Sequence, residues 1–173
     1  MKRILLIILV SICSFACSDE IYDFVSVEGE WKLTGYNSVT GFDINDDGVK
    51  SVNLLEEIEC TNIETLIFDS NGVMSSNATF NPKIDIALKD ESTSEYVFNV
   101  ECDLEGLIGF ASSYSQNGDT ITYNNHSASI IENQIFIVFE NAIEIYNADY
   151  TEVIETQDLT LVYTKQELSY EIK

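Results

Sequence analysis

The chain has 173 residues, of which 45% are hydrophobic, and it sets 30 Asp and Glu against 8 Lys and Arg for a formal charge of −22. That length fits one domain, and the apolar content is too high for an acidic disordered tail. The charge excludes nucleic-acid binding, which needs clustered cations, and beyond Arg3 there is no Arg for bidentate capture of phosphate or carboxylate.

Met1-Lys2-Arg3 is basic, Ile4 to Val10 is an unbroken apolar run, and Ser14-Phe15-Ala16-Cys17 follows. This reads as the hydrophobic region of a secretory signal, too short for a bilayer span of about 20 residues. Residues 1–16 are therefore expected to be a signal peptide. The placement of Cys17 after Ala16 resembles the lipobox of bacterial lipoproteins, in the relaxed Bacteroidetes form with Ser14 where Leu is usual. The resemblance implies that Cys17 becomes the lipidated first residue. It further implies an outer-membrane protein anchored on the periplasmic face or at the cell surface. Several acyl chains at about 0.8 kcal/mol per buried methylene make such anchoring nearly permanent. Ser18-Asp19-Glu20 and Asp23 resemble the surface-export signal of the same group, and they read equally as a solvated tether. Residues 17–27 are then the lipidated Cys and an acidic tether, and 28–173 the folded domain.

Short strands follow, separated by turn residues. Glu30 to Gly35 is the first, and Leu33 to Phe42 reads as strand and then loop. Asp43-Ile44-Asn45-Asp46-Asp47-Gly48 comes next, with Asp43, Asn45 and Asp47 at alternate positions and a turn-forming Gly48. Calcium takes oxygen ligands from such a spacing, the first half of an EF-hand loop. Val49 would add a carbonyl and Ser51 a water-mediated contact. Leu54 stands where the bidentate Glu belongs, so Glu56 or Glu57 would have to supply that carboxylate. The other reading is a solvated loop of Asx turns. Asn53 to Ile58 predicts a short helix capped by Asn53, with Glu56 closing a capping box.

Further strands are expected at Glu64 to Phe68, Ile84 to Leu88, Tyr96 to Val100, Phe110 to Ser115, Thr120 to Asn124, Ser129 to Ile131, Gln134 to Phe139, Ala142 to Tyr146 and Leu159 to Thr164. Asn71-Gly72 and Asn117-Gly118 mark hairpins, and Glu132-Asn133 marks another. About eight to ten strands without βα alternation predict an all-β, antiparallel barrel or sandwich. Cys60 and Cys102 remain once Cys13 and Cys17 are assigned to the leader and the anchor, so they are expected to form one disulfide.

Gly29-Glu30-Trp31 resembles the G-x-W opening of lipocalin-like domains. The succession of hairpins ending at Leu159 to Lys165 is similar to lipocalin-like lipoproteins of Bacteroidetes. The resemblance implies an up-and-down lipocalin-like barrel in which Trp31 plugs one end. Lys165 stands in for the Arg that often crosses that Trp. It also implies a small apolar or amphipathic ligand in the barrel mouth.

No assembled catalytic motif is present: there is no G-x-S-x-G, no P-loop and a single His, His126, in a polar turn. The chain is thus read as non-enzymatic. Tyr36, Phe42, Phe80, Tyr114, Tyr123 and Tyr146 are expected mainly as core, with a ligand platform as the alternative. Two functions follow. One is a membrane-anchored carrier of a small molecule. The other is a calcium-stabilised surface module that binds protein or glycan through its loops.

Overall fold

Trp31 and Leu33 are buried while Glu30, Lys32 and Thr34 face water, the period of two that makes Gly29–Phe42 a strand, β1. A computed structural model describes residues 25–102 and 109–167. The expected signal peptide and the lipidation site Cys17 lie outside the described residues. After β1 come β2 (Ser51–Asn53), β3 (Thr65–Phe68), β4 (Val73–Ser76), β5 (Lys83–Leu88) and β6 (Tyr96–Glu101). The remaining strands are β7 (Phe110–Asn117), β8 (Thr120–Tyr123), β9 (His126–Ile131), β10 (Gln134–Tyr146) and β11 (Val153–Lys165).

Eight of these close on themselves in the order β1-β3-β4-β7-β8-β9-β10-β11, every neighbouring pair antiparallel, with β11 returning to β1. Closure leaves the barrel no free edge. Two inserts interrupt the up-and-down succession. β2 pairs with the far half of β1, and the β5–β6 hairpin joins the far half of β10 through a parallel pairing, Ile145 opposite Ile86. The long strands β1, β10 and β11 therefore run out of the barrel into an extension with its own core.

Bulges separate the two parts. The register of β1 on β11 shifts between Leu33 and Gly35. Asn53 holds the bulge, accepting from the Tyr36 amide at 3.0 Å and donating to the Thr34 carbonyl at 3.2 Å. A Cβ on Gly35 would lie 3.0 Å from Val162 Cβ, so a side chain here would press on β11. In β10 the register shifts between Phe139 and Ile143, around Asn141 at φ 54°. Gln134 to Phe139 and Ala142 to Tyr146, separate in the sequence reading, are thus one bent strand.

The helix expected over Asn53 to Ile58 is a single 3₁₀ turn, Leu54–Glu56. Asn53 does cap it, accepting from the Leu55 amide at 3.3 Å. Glu56 closes no capping box, because its carboxylate accepts from Ser51 Oγ at 2.7 Å instead. Glu57 also turns back, accepting the amides of Ile44 and Ser51 at 3.0 and 3.1 Å. Both carboxylates bind the loop before the turn, which leaves no register for a longer helix.

The barrel core contains Trp31, Leu33, Leu66, Met74, Ile121, Ile135 and Tyr163. The extension packs Phe42, Leu54, Ile86, Ile143, Ile145 and Leu159. Phe42 meets Tyr96 and Phe98 edge-on at 5.5 and 5.8 Å. Cys60 and Cys102 form the expected disulfide, Cα to Cα 5.3 Å, joining the segment ahead of β3 to the end of β6.

One barrel end is sealed. Val27, the last residue of the expected tether, is 1% exposed and folds under the sheet. Its amide donates to Gln116 Oε1 at 3.0 Å, and its carbonyl accepts from the Trp31 indole at 2.7 Å. Lys165 Nζ lies 5.2 Å from the Trp31 ring centroid and donates to the Ser26 carbonyl at 2.7 Å. Trp31 is thus held at this end of the barrel between the Val27 carbonyl and the Lys165 side chain.

Candidate functional site

Among the described residues nothing closes the other end of the barrel. There β3 begins, β4 ends and the β8–β9 turn lies, with Asn124 and Asn125 at φ 44° and 63°. A cavity of about 260 Å³ opens there. Leu66, Met74, Ile137 and Leu161 supply its apolar wall, and Phe110, Tyr123, His126 and Phe139 its aromatic rim. The rim rings form a row: Tyr123 and His126 have centroids 5.9 Å apart, and His126 and Phe139 6.0 Å. Such a pocket suits a small ligand with an apolar body.

Glu64 lines the same cavity and is 2% exposed. It immediately precedes β3, and its backbone is fixed by Leu33 N donating to the Glu64 carbonyl at 3.1 Å and by Glu64 N donating to Asn62 Oδ1 at 3.1 Å. Its two carboxylate oxygens accept from Tyr163 Oη at 2.7 Å and from the Phe80 amide at 2.6 Å. Among the described residues no Lys or Arg lines the cavity. Burial therefore raises the Glu64 carboxyl above its ordinary range, and the two hydrogen bonds oppose this only in part. The effect spreads to the tyrosines. Burial and then the Glu64 charge push Tyr123 up to about 12, and both causes also raise Tyr36 and Tyr163.

This has a measurable consequence. A carboxyl that holds its proton more tightly when folded contributes stability that is complete below its unfolded pKa. That contribution is lost as pH rises through the folded pKa. Glu64→Gln imitates the neutral acid and lacks the loss. The melting temperature of Glu64→Gln relative to wild type is expected to rise as pH climbs above the ordinary carboxyl range. A difference that is flat or falls with pH would contradict the buried carboxyl.

The Asp43 loop lies at the extension, away from this cavity. Asp43 Oδ2 accepts the Gly48 amide at 3.1 Å, Asn45 Oδ1 that of Asp47 at 3.0 Å, and Asp47 Oδ1 that of Val49 at 2.7 Å. The last two are Asx turns, and the first spans the loop, with Asp46 at φ 59° and Gly48 at φ 86°. Ser51 and Glu56 bond each other, and Glu57, 4% exposed, is the loop's buried anchor. Lys50 and Lys89 line a cavity beside Asp43 together with Asp46 and Glu95. Among the described residues no group of three or more His, Cys, Asp or Glu is arranged to hold a metal.

Of the six aromatics singled out from the sequence, Phe42 is core and Tyr123 is pocket. Tyr36 touches both cores and packs edge-on at 5.6 Å with Phe80, which lies against the barrel core. Tyr114 packs on Phe68 at 5.0 Å and donates to the Asp69 carbonyl at 2.8 Å. Tyr146 stacks on Tyr150 at 6.1 Å. Glu64 is the site residue that the sequence does not single out, being one of 30 acids at the start of an ordinary strand. Comparison with family models, curated proteins and solved structures finds no match.

Proposed function

We propose that this chain is a non-enzymatic, lipid-anchored, lipocalin-like protein of a bacterial outer membrane that holds a small apolar or amphipathic molecule in the open end of its barrel. The observation that carries the reading is the asymmetry of the barrel. One end is plugged by Val27 and Trp31, and the other holds an apolar cavity of about 260 Å³ with a polar floor. Anchoring rests on Cys17 and the run that precedes it. The polar groups of the cavity floor are engaged in holding structure, Tyr163 and the Phe80 amide both being donors to Glu64. 2-Phenylethanol, sized for the cavity, is expected to bind the full chain saturably with one-to-one stoichiometry in a calorimetric titration. It is also expected to raise the melting temperature as its concentration passes the Kd. A titration with no saturable heat and no thermal shift overturns the carrier reading.

One observation favours the second reading, a calcium-stabilised module. Asp43 Oδ1 is buried and has no hydrogen-bond partner, and a bound cation would satisfy it. On that reading millimolar calcium raises the melting temperature of wild type and not of Asp43→Ala/Asp47→Ala. Identical melts with calcium and with chelator leave the loop as a set of Asx turns.

A further inference from the structure

We propose that the open end of the barrel selects ligands bearing a positively charged nitrogen on a small apolar body, with Glu64 as the counter-charge. This rests on the reading of that end as a ligand pocket. A carboxylate has about four acceptor sites. Glu64 gives one hydrogen bond's worth of acceptance to each of two neutral donors, a phenol and a backbone amide. Neither supplies charge. Buried carboxylates are ordinarily paired with a cation, because an isolated charge in apolar surroundings is costly.

Among the described residues, the cations are elsewhere. Lys83 pairs with Asp85 and Glu101, Lys89 pairs with Glu95, and Lys165 is held over Trp31 at the sealed end. Lys32 and Lys50 are exposed. An ammonium entering the cavity would meet the one charge there that lacks a partner of opposite sign.

Two further features favour the same chemistry. The aromatic row of Tyr123, His126 and Phe139 lines the same cavity, and aromatic rings attract a cation, more so when water is excluded. The net charge of −22 biases encounter toward cations and away from anions. A carboxylate ligand of the same shape would bring like charge against Glu64, and an alcohol would gain only contact and a neutral hydrogen bond.

The test is calorimetric titration of the full chain at neutral pH with three near-isosteres: 2-phenylethylamine, 2-phenylethanol and 3-phenylpropanoate. The amine is expected to bind about tenfold or more tightly than the alcohol, the ratio that a charge-assisted contact supplies, and the acid not to bind detectably. In Glu64→Gln the amine's advantage should disappear while alcohol binding is kept. Thermal melts check that this variant folds, and the wild-type order of the three probes tests the charge selectivity independently of the variant. Equal binding of amine and alcohol by wild type overturns the charge selectivity and leaves the carrier reading standing. An amine preference that survives in Glu64→Gln overturns the role of Glu64. Failure of all three probes to bind overturns both.

Discussion

Trp31→Ala is expected to lower the free energy of unfolding by about 3–5 kcal/mol, the range for removing a fully buried large aromatic. Trp31 is 0% exposed and sits where three separate parts of the chain converge. Its ring packs in the barrel core with Leu33, Leu66 and Tyr163. Its indole donates to the Val27 carbonyl at 2.7 Å, and Lys165 lies across its face at 5.2 Å. Removing the ring leaves a cavity, an unpaired buried carbonyl and a seal with nothing to rest on. Trp31→Phe keeps most of the volume and loses the donor, so its loss should fall well below that of the Ala variant. Urea-induced unfolding measures both. A loss under about 1 kcal/mol for Trp31→Ala, the range of surface substitutions and mild core changes, would mean that the end of the barrel is not sealed by this residue.

Opening the Cys60–Cys102 disulfide is expected to cost about 4 kcal/mol in the chain-entropy account, for a sequence separation of 42. For a chain of this size that corresponds to a fall of about 10 °C in melting temperature. The bridge encloses β3, β4, β5 and β6, so it constrains two barrel strands and the whole appended hairpin at once. Beyond the bridge the hairpin is attached to the barrel by a short parallel pairing, Ile145 with Ile86 and Tyr146 with Ala87, and by the small extension core. Its ion pairs, Lys83 with Asp85 and Lys89 with Glu95, are exposed and contribute little. Without the covalent link this region should open first. Differential scanning calorimetry of Cys60→Ser/Cys102→Ser, and of wild type under reductant, should show the same fall. A melt that does not change under reductant contradicts the constraint.

The barrel was legible because alternation and turn chemistry act locally. Ser70-Asn71-Gly72 and Gly118 turn their hairpins through local geometry, with Gly72 and Gly118 at φ 76° and 59° and the Asp69 carboxylate accepting the Asn71 and Val73 amides. Leu159 and Tyr163 are buried along β11 as the alternation of that segment suggests, but Leu161 is only half-buried and Val162, on the opposite phase, is buried, where the register on β1 shifts. What the sequence concealed depends on contacts between distant residues. β4 is short and half polar, Val73-Met74-Ser75-Ser76, and becomes a strand because β3 and β7 flank it. The parallel docking of β5 on β10 joins residues about sixty apart, and nothing in either segment encodes it. The turn at Leu54 stays short because Glu57 is drawn to the Ile44 and Ser51 amides.

Glu64 is the sharpest case. Its neighbours in sequence, Asn62 to Leu66, differ little from other strand starts. Its burial follows from Tyr163, 99 residues away, and from the Phe80 amide. In a chain with 30 acids, composition gives no hint of which carboxyl leaves water. The loop at Asp43 runs the other way: its spacing stood out at once, and its oxygens are largely spent on neighbouring amides.

The location of a bound molecule tests the central claim most directly. Methyl-resolved NMR of the full chain titrated with 2-phenylethanol should show shifts concentrated at Leu66, Met74, Ile137 and Leu161 around the open cavity. Val27, Leu33 and Ile121 in the sealed core should stay still. Shifts centred on the sealed end or on the extension, or none at saturating ligand, would contradict a carrier that loads through the open end of its barrel.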